Sequence, residues 1–150
     1  MNETCLSIAR AIALIVLTRY RSICVACNRR DYHELSILFF LSLFPDEKIT
    51  FAALCKQFDA APATINDRLA RLESAGLVTY LEKSGRNRTL VLTDAGKSAV
   101  QRSLEIEGGC IKHIFPHVNP EDLTRLAELL TKISPQIMQG FKTDVFGPYY

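Results

Sequence analysis

The sequence predicts a mainly α-helical protein with one small β-hairpin. Three observations predict this class. Apolar side chains recur at helical spacing through most of the 150 residues, two β-prone runs lie close together between residues 77 and 92, and two short helices directly precede them. The order helix, turn, helix and hairpin is that of a winged helix-turn-helix. We therefore expect a winged helix-turn-helix with a small β-hairpin wing, joined to a helical dimerisation body.

The chain before this module predicts two helices. Residues 4–27 carry apolar side chains on two neighbouring stripes, which is typical of a helix that packs on two sides. Residues 28–32 are polar and predict a connector. Residues 35–44 are apolar almost all round and end at Pro45. Periodicity alone does not separate a buried helix from a buried strand here, but the length of the run favours a helix.

The helix-turn-helix is predicted from its caps and its apolar spacing. Thr50 can cap a first helix that carries Leu54 and Phe58 at i, i+4. Residues 59–60 predict the turn, and Pro62 suits the first position of the second helix. One face of that helix carries three apolar side chains, and a glycine follows at the position where a left-handed residue is favoured; these residues are Ile65, Leu69, Leu72 and Gly76.

The rest of the chain predicts the wing and two long helices. The strands are residues 77–81 and 89–92, with a polar loop between them. Thr93 can cap a helix to about residue 114, in which the two glycines at 108–109 are a weak point. Asn119 and Pro120 predict the start of the last helix, and Pro135 is expected to end or kink it, leaving residues 136–150 as a tail. Its inward side chains are predicted to be Leu123, Leu126, Leu129, Leu130 and Ile133.

Composition limits the classes of function. The hydrophobic content of 48% is high for a small protein and favours an oligomer interface. A net charge of +2 argues against a general polyanion binder. No apolar run reaches the ~20 residues that cross a membrane, and Glu3 stands where a signal peptide would be positive. We therefore predict a cytoplasmic protein whose five cysteines are thiols.

The central stretch resembles the MarR-type transcriptional regulators. Residues 69–78, LARLESAGLV, and residues 92–96, LTDAG, match that family's pattern R-L-E-x-x-G-L-V, wing, L-T-x-x-G. The resemblance covers roughly residues 5–134. It implies a homodimer built from residues 1–34 and 97–150, with residues 35–96 as the DNA-binding module. Such a dimer places its recognition helices in successive major grooves, about 34–36 Å apart, so the operator is expected to be a near-palindrome.

Candidate DNA contacts lie on the second helix of the module and on the wing. The basic wing side chains suit phosphates or the minor groove, and Asn66 suits adenine. Asp67 faces the DNA side, where a carboxylate repels phosphate unless it accepts from cytosine N4. Arg68 sits nearer the core, where an ion pair with Glu73 or a side chain that extends along the apolar surface to solvent is the alternative. The predicted contacts are Thr64, Asn66, Asp67, Arg68, Arg71 and, at the wing tip, Arg86, Asn87 and Arg88.

Cysteine spacing raises two further hypotheses. Cys24-x-x-Cys27 and Cys110-x-x-His113 have zinc-ligand spacing, but small thiols are also favoured core residues, so we predict no metal and no cofactor. A redox switch is the stronger hypothesis, since some relatives sense peroxide through a first-helix cysteine. Cys5 or Cys24 would carry that role here.

The sequence favours a DNA-binding regulator, in particular a repressor that responds to a small ligand or a redox signal. An effector between body and module would contact Arg10, Arg19, Tyr20 and His33. The alternative is a winged-helix protein-interaction module with weak or lost DNA binding, which Ala63, Asp67 and Ala70 favour. We predict no enzyme, because the sequence has no phosphate loop and no readable catalytic triad.

Overall fold

The computed structural model describes residue 10, residues 29–82 and residues 88–146. Residues 29–82 and 88–146 contain five helices and one three-stranded antiparallel sheet, so the predicted fold class is confirmed. The helices are α1 (Arg29–Leu43), α2 (Phe51–Gln57), α3 (Pro62–Ser74), α4 (Asp94–Ile114) and α5 (Pro120–Phe146). The strands are β1 (Ile49–Thr50), β2 (Val78–Glu82) and β3 (Thr89–Leu92). No helix of the described residues is both long and apolar enough to cross a bilayer.

Helix α1 includes residues that the sequence predicted to be a connector. Residues 29–32 are helical, so that prediction was wrong for them. Polar residues do not end a helix by themselves; a glycine, a proline or a cap does so, and none interrupts residues 29–44. The apolar half of α1 is the centre of the core. Ile37, Leu38, Phe40, Leu41 and Phe44 are buried there.

The helix-turn-helix has the predicted caps and the predicted apolar face. The backbone N–H of Ala53 donates to Thr50 Oγ1 at 3.1 Å, which caps α2. Helix α3 begins at Pro62. Its inward side chains are fully buried, at 0% exposure for Ile65 and Leu69. Because three apolar contacts on one face hold α3 to the core, its opposite face is left for solvent or a partner.

The sheet has one strand more than the predicted hairpin. Its order is β1-β3-β2, and Ile49 and Thr50 pair with Leu90 and Thr89. Strand β1 is only two residues long, too short for a period-2 pattern to show in the sequence. It joins the start of α2 to the wing, since the N–H of Phe51 donates to the carbonyl of Arg88 at 2.9 Å.

The two parts of the sequence motif, residues 69–78 and residues 92–96, are in direct contact in the structure. Gly76 has φ +70°, as predicted for the end of α3. The Thr93 hydroxyl donates to the Gly76 carbonyl at 2.5 Å and accepts from the N–H of Gly96 at 3.1 Å. A Cβ on Gly96 would stand 2.0 Å from the carbonyl oxygen of Leu77. Only glycine therefore fits at position 96, and the start of α4 is held against the turn that follows α3.

Helix α5 continues through Pro135 to Phe146, so the prediction of a tail from residue 136 was wrong. The start was correct, because the N–H of Glu121 donates to Asn119 Oδ1 at 3.0 Å. A proline inside a helix removes one backbone hydrogen bond and costs about 3 kcal/mol. The side chain of Met138, beyond the proline, packs against the core and offsets part of that cost.

The sequence predicted that the apolar side chains of α5 point inward, but in the structure most of them do not. Leu123 is half-buried, but the others form a row that solvent reaches in the single chain. Leu129 is 59% exposed and Leu130 is 48% exposed. We define the α5 apolar stripe as Leu126, Leu129, Leu130, Ile133 and Ile137, all of which are exposed. Periodicity identifies an apolar face but not what covers it, and this was the source of the error.

Candidate nucleic-acid interface

The outward face of α3 is a row of exposed side chains opposite the buried anchors. At 100° per residue, its centre carries a carboxylate and small side chains, while polar groups lie on either flank. The exposed residues are Ala63, Thr64, Asn66, Asp67, Ala70, Arg71 and Ser74. Arg68 is half-buried, on the side nearer the core. The arrangement leaves the middle of the face short, so a docking surface can approach the helix backbone closely.

Arg88 connects the wing to the nearer flank of α3. Arg88 Nη2 donates to Asn66 Oδ1 at 2.9 Å, and Arg88 Cζ lies 4.3 Å from the centre of the Phe51 ring. The sequence placed Arg88 at the wing tip. The structure places it at the wing base, directly before β3. Arg88 thus joins three elements: the wing, the start of α2 and the outward flank of α3.

The other flank of α3 is tied to α1. Arg71 Nε donates to Glu34 Oε1 in an ion pair. The Arg71 side chain is 56% exposed and that of Glu34 is 18% exposed. An exposed pair of this kind contributes little to stability, about 0–1 kcal/mol. The pair also neutralises the positive charge of Arg71, which the sequence analysis predicted to contact DNA.

Between α3 and the wing lies an open pocket of about 320 Å³. It is lined by Asn66, Ala70, Glu73, Tyr80 and Arg88. The lining combines an amide, a guanidinium and a carboxylate with an aromatic and a methyl group. The edge formed by Asn66 and Arg88 is therefore accessible from solvent.

Cys55 lies on α2, near the Arg88 side chain that lines this pocket, and is a free thiol. Burial raises the pKa of the Cys55 thiol, while a backbone hydrogen bond and the Arg88 guanidinium act in the opposite direction. The net shift of the pKa is upward, which favours the protonated thiol of Cys55 at neutral pH. Cys55 is thus unlike a sensor thiol, whose pKa is lowered.

Several predicted site residues lie outside the described residues: Cys5, Arg19, Tyr20, Cys24, Cys27, Arg86 and Asn87. The same holds for the side chains of Cys110 and His113. Arg10 is helical and exposed. His33 is exposed on α1, with its ring centroid 5.7 Å from that of Tyr32. Within the described residues, no group of three His, Cys, Asp or Glu side chains has the geometry to hold a metal ion.

Two residues of this surface were missed by the sequence analysis. Glu34 pairs with Arg71, 37 positions later, and the Phe51 ring packs against the Arg88 guanidinium, 37 positions later as well. No local pattern signals such pairs, because helix and strand periodicities report faces and not long-range partners. Only the packing of α1, α2 and the wing around α3 brings them together.

Comparison with known proteins agrees with this geometry. Residues 30–79 match the family described as winged helix-turn-helix DNA-binding. The chain is 33% identical over 70 residues to an uncharacterised 37.1 kDa protein in transposon Tn4556 of Streptomyces fradiae. That match spans 47% of this chain but only 20% of the transposon protein. Sequence similarity therefore extends to one part of a longer relative.

Solved structures match more of the chain. Wild-type apo MarR from E. coli superposes with a TM-score of 0.66 at 18% identity, over 83% of this chain and 94% of that one. A point mutant of MepR from S. aureus, bound to an oligodeoxyribonucleotide, gives a TM-score of 0.52 at 15% identity, over 91% and 99%. At these identities the likeness establishes the fold. The chain has the winged helix-turn-helix fold seen in MarR, which is the fold that the resemblance of its central motifs implied.

Proposed function

We propose that the protein is a homodimeric DNA-binding transcriptional regulator that uses α3 as its recognition helix. The observation that carries the proposal is the outward face of α3. Three buried anchors hold the helix rigidly, while Asn66 and Arg88 present hydrogen-bond donors beside a row of short side chains. Donors on a helix that projects from the core match the acceptor-rich major groove. The matched winged helix-turn-helix family, and MepR in its complex with an oligodeoxyribonucleotide, support the same output.

The α5 apolar stripe supports the homodimer. Five exposed apolar side chains on one helix form a patch of the kind that marks a protein–protein contact. In a two-fold dimer, the stripe of one protomer would cover the stripe of the other. The proposed division follows: residues 1–34 and 97–150 form the dimerisation body, and residues 35–96 form the DNA-binding module. Helix α1 crosses the boundary between them and would couple the two parts.

A repressor is the simplest output of such a dimer, because a protein that covers two half-sites excludes other proteins from that DNA. The proposed signal is a small ligand near Arg10, Arg19, Tyr20 and His33, or oxidation at Cys5 or Cys24. For DNA contact, the proposed residues remain Thr64, Asn66, Asp67, Arg68, Arg71, Arg86, Asn87 and Arg88. Two of them, Arg71 and Arg88, must share their side chains with Glu34 and Asn66.

A second candidate is a winged-helix module that docks on a protein. The exposed Asp67 at the centre of the α3 face favours it, since a carboxylate repels phosphates. So does the Glu34 carboxylate, which neutralises Arg71. Both observations reduce the positive potential of the face that would meet DNA.

Duplex binding measured at several salt concentrations separates the two candidates. A DNA-binding dimer shows log K falling linearly with log salt, with a slope of about −0.9 for each phosphate neutralised. Near-palindromic duplexes, taken from a selection among random sequences, should bind two chains per duplex. Failure to bind any duplex at low salt by a correctly folded protein would reject the DNA-binding proposal in favour of protein docking.

A further inference from the structure

Asn66 is exposed on the wing-facing flank of α3, where a free amide side chain would read adenine. It would accept a hydrogen bond from adenine N6 and donate one to N7. In this protein the amide is not free. Arg88 Nη2 donates to Asn66 Oδ1 at 2.9 Å. The contact uses one lone pair of the oxygen that would accept from adenine.

The chemistry of arginine fixes the orientation of this amide. A guanidinium has only donors, so the oxygen of Asn66 must turn toward Arg88 and its NH2 must turn away. The positive charge beside the oxygen also disfavours the approach of a second donor such as the adenine amino group. With its oxygen facing a cation, the Asn66 side chain presents a base chiefly with its pair of N–H donors.

Two contacts with Phe51 hold Arg88 in place, one to its side chain and one to its backbone. Its guanidinium carbon lies 4.3 Å from the centre of the Phe51 ring, a cation–π contact. Its backbone carbonyl accepts from the N–H of Phe51 at 2.9 Å. These contacts favour a guanidinium next to Asn66, and both side chains line the open pocket.

We infer that Asn66 and Arg88 form one donor-only reading unit that selects guanine over adenine at the base pair facing the wing side of α3. Guanine presents two acceptors, N7 and O6, in the major groove, whereas adenine replaces O6 with an amino donor. A unit with donors alone can bond to both acceptors of guanine, whereas at adenine one of its donors faces the amino donor. The inference rests on the proposed DNA-binding function and names the specificity of the same site. Arg88 acts partly as a positioning residue, because it sets which atoms of Asn66 face the base.

The test is a selection of bound duplexes from a random library, followed by affinity measurements on duplexes that differ at one base pair. The wild type should require guanine at one position of each half-site, and Asn66→Ala should lose that requirement. Arg88→Met keeps an apolar stem over Phe51 but has no donor. It should shift the preference at that position from guanine to adenine by about tenfold, the value of one good base contact.

Two further variants separate reading from general electrostatics. Phe51→Leu leaves the charge of Arg88 in place but removes the ring that holds it, so guanine selectivity should fall while the salt slope stays unchanged. Arg125→Ala removes one positive charge from α5, where Arg125 pairs with Asp122 at 3.8 Å. This control should leave base preference as in the wild type. The contact itself is checked without DNA, since Arg88→Met should shift the NMR signals of the Asn66 side-chain amide and Arg125→Ala should not.

Three results would overturn the inference. Selection of adenine by the wild type contradicts the donor-only unit. Uniformly weaker binding of Arg88→Met with unchanged base preference shows that Arg88 serves a phosphate only. Unmoved Asn66 amide signals in Arg88→Met show that the two side chains are not in contact. Each of these leaves DNA binding intact, whereas absence of any duplex binding by the wild type rejects the proposed function and this inference together.

Discussion

The ion pair between Arg71 and Glu34 occupies a basic side chain of α3, and under the proposed DNA-binding function its removal has a measurable consequence. Glu34→Ala leaves Arg71 without its partner while keeping a good helix former in α1. The Arg71 side chain is already 56% exposed. Once released, it can turn toward a phosphate at the edge of the α3 face. We therefore expect Glu34→Ala to tighten duplex binding.

The magnitude follows from the number of phosphates neutralised. One added contact per protomer steepens the slope of log K against log salt by about 0.9, or about 1.8 for a dimer. The cost to stability is small, because an exposed ion pair of this type contributes about 0–1 kcal/mol. Binding and stability should thus change in opposite directions, and the change in binding should be the larger one.

The assay is a duplex titration at four or more salt concentrations, with urea unfolding of the same preparations. Glu105→Ala is the matched control. It removes the same charge from α4, where Glu105 accepts from Gln101 Nε2 at 3.1 Å in an exposed contact. An equal increase in affinity for both variants would mean that net charge alone is responsible. An unchanged slope in Glu34→Ala would refute the idea that Glu34 withholds Arg71 from DNA.

Three further predictions concern other parts of the molecule. Leu129→Glu with Ile137→Glu places two charges in the α5 apolar stripe, where both side chains are 59% exposed. Sedimentation at low micromolar concentration should change from dimer to monomer while the helical circular dichroism is retained; a persistent dimer would place the interface elsewhere. Asp67→Ala removes the central carboxylate of α3 and should strengthen duplex binding by relief of phosphate repulsion, as measured by titration; weaker binding at one operator sequence alone would instead show that Asp67 reads a cytosine. Cys55 should react with iodoacetamide more slowly than a small free thiol at pH 7 to 8, and its rate should rise only above the ordinary thiol pKa, because burial raises the pKa of Cys55; a rate equal to that of the free thiol would show that the burial is not maintained in solution.

Caps and anchors of the module were predictable because each depends on neighbours in the chain. Thr50 bonds to a backbone N–H three residues later, and Asn119 to one two residues later. Ile65, Leu69 and Leu72 share a face because 3.6 residues make a helical turn. Gly76 follows the last turn of α3 and has the positive φ expected there. Such features need little knowledge of the rest of the fold.

The sequence by itself therefore determined the fold class, the helix α3 and its buried face. Only the tertiary structure decided which partners the polar side chains of the outward face have. It attached Asn66 to Arg88 and Arg71 to Glu34, pairs that lie 22 and 37 residues apart in the chain. It also left the α5 apolar stripe uncovered in the single chain and carried α5 past Pro135. The physical reason is that periodicity records which side of an element is apolar, whereas the partner of a polar side chain depends on how distant elements pack.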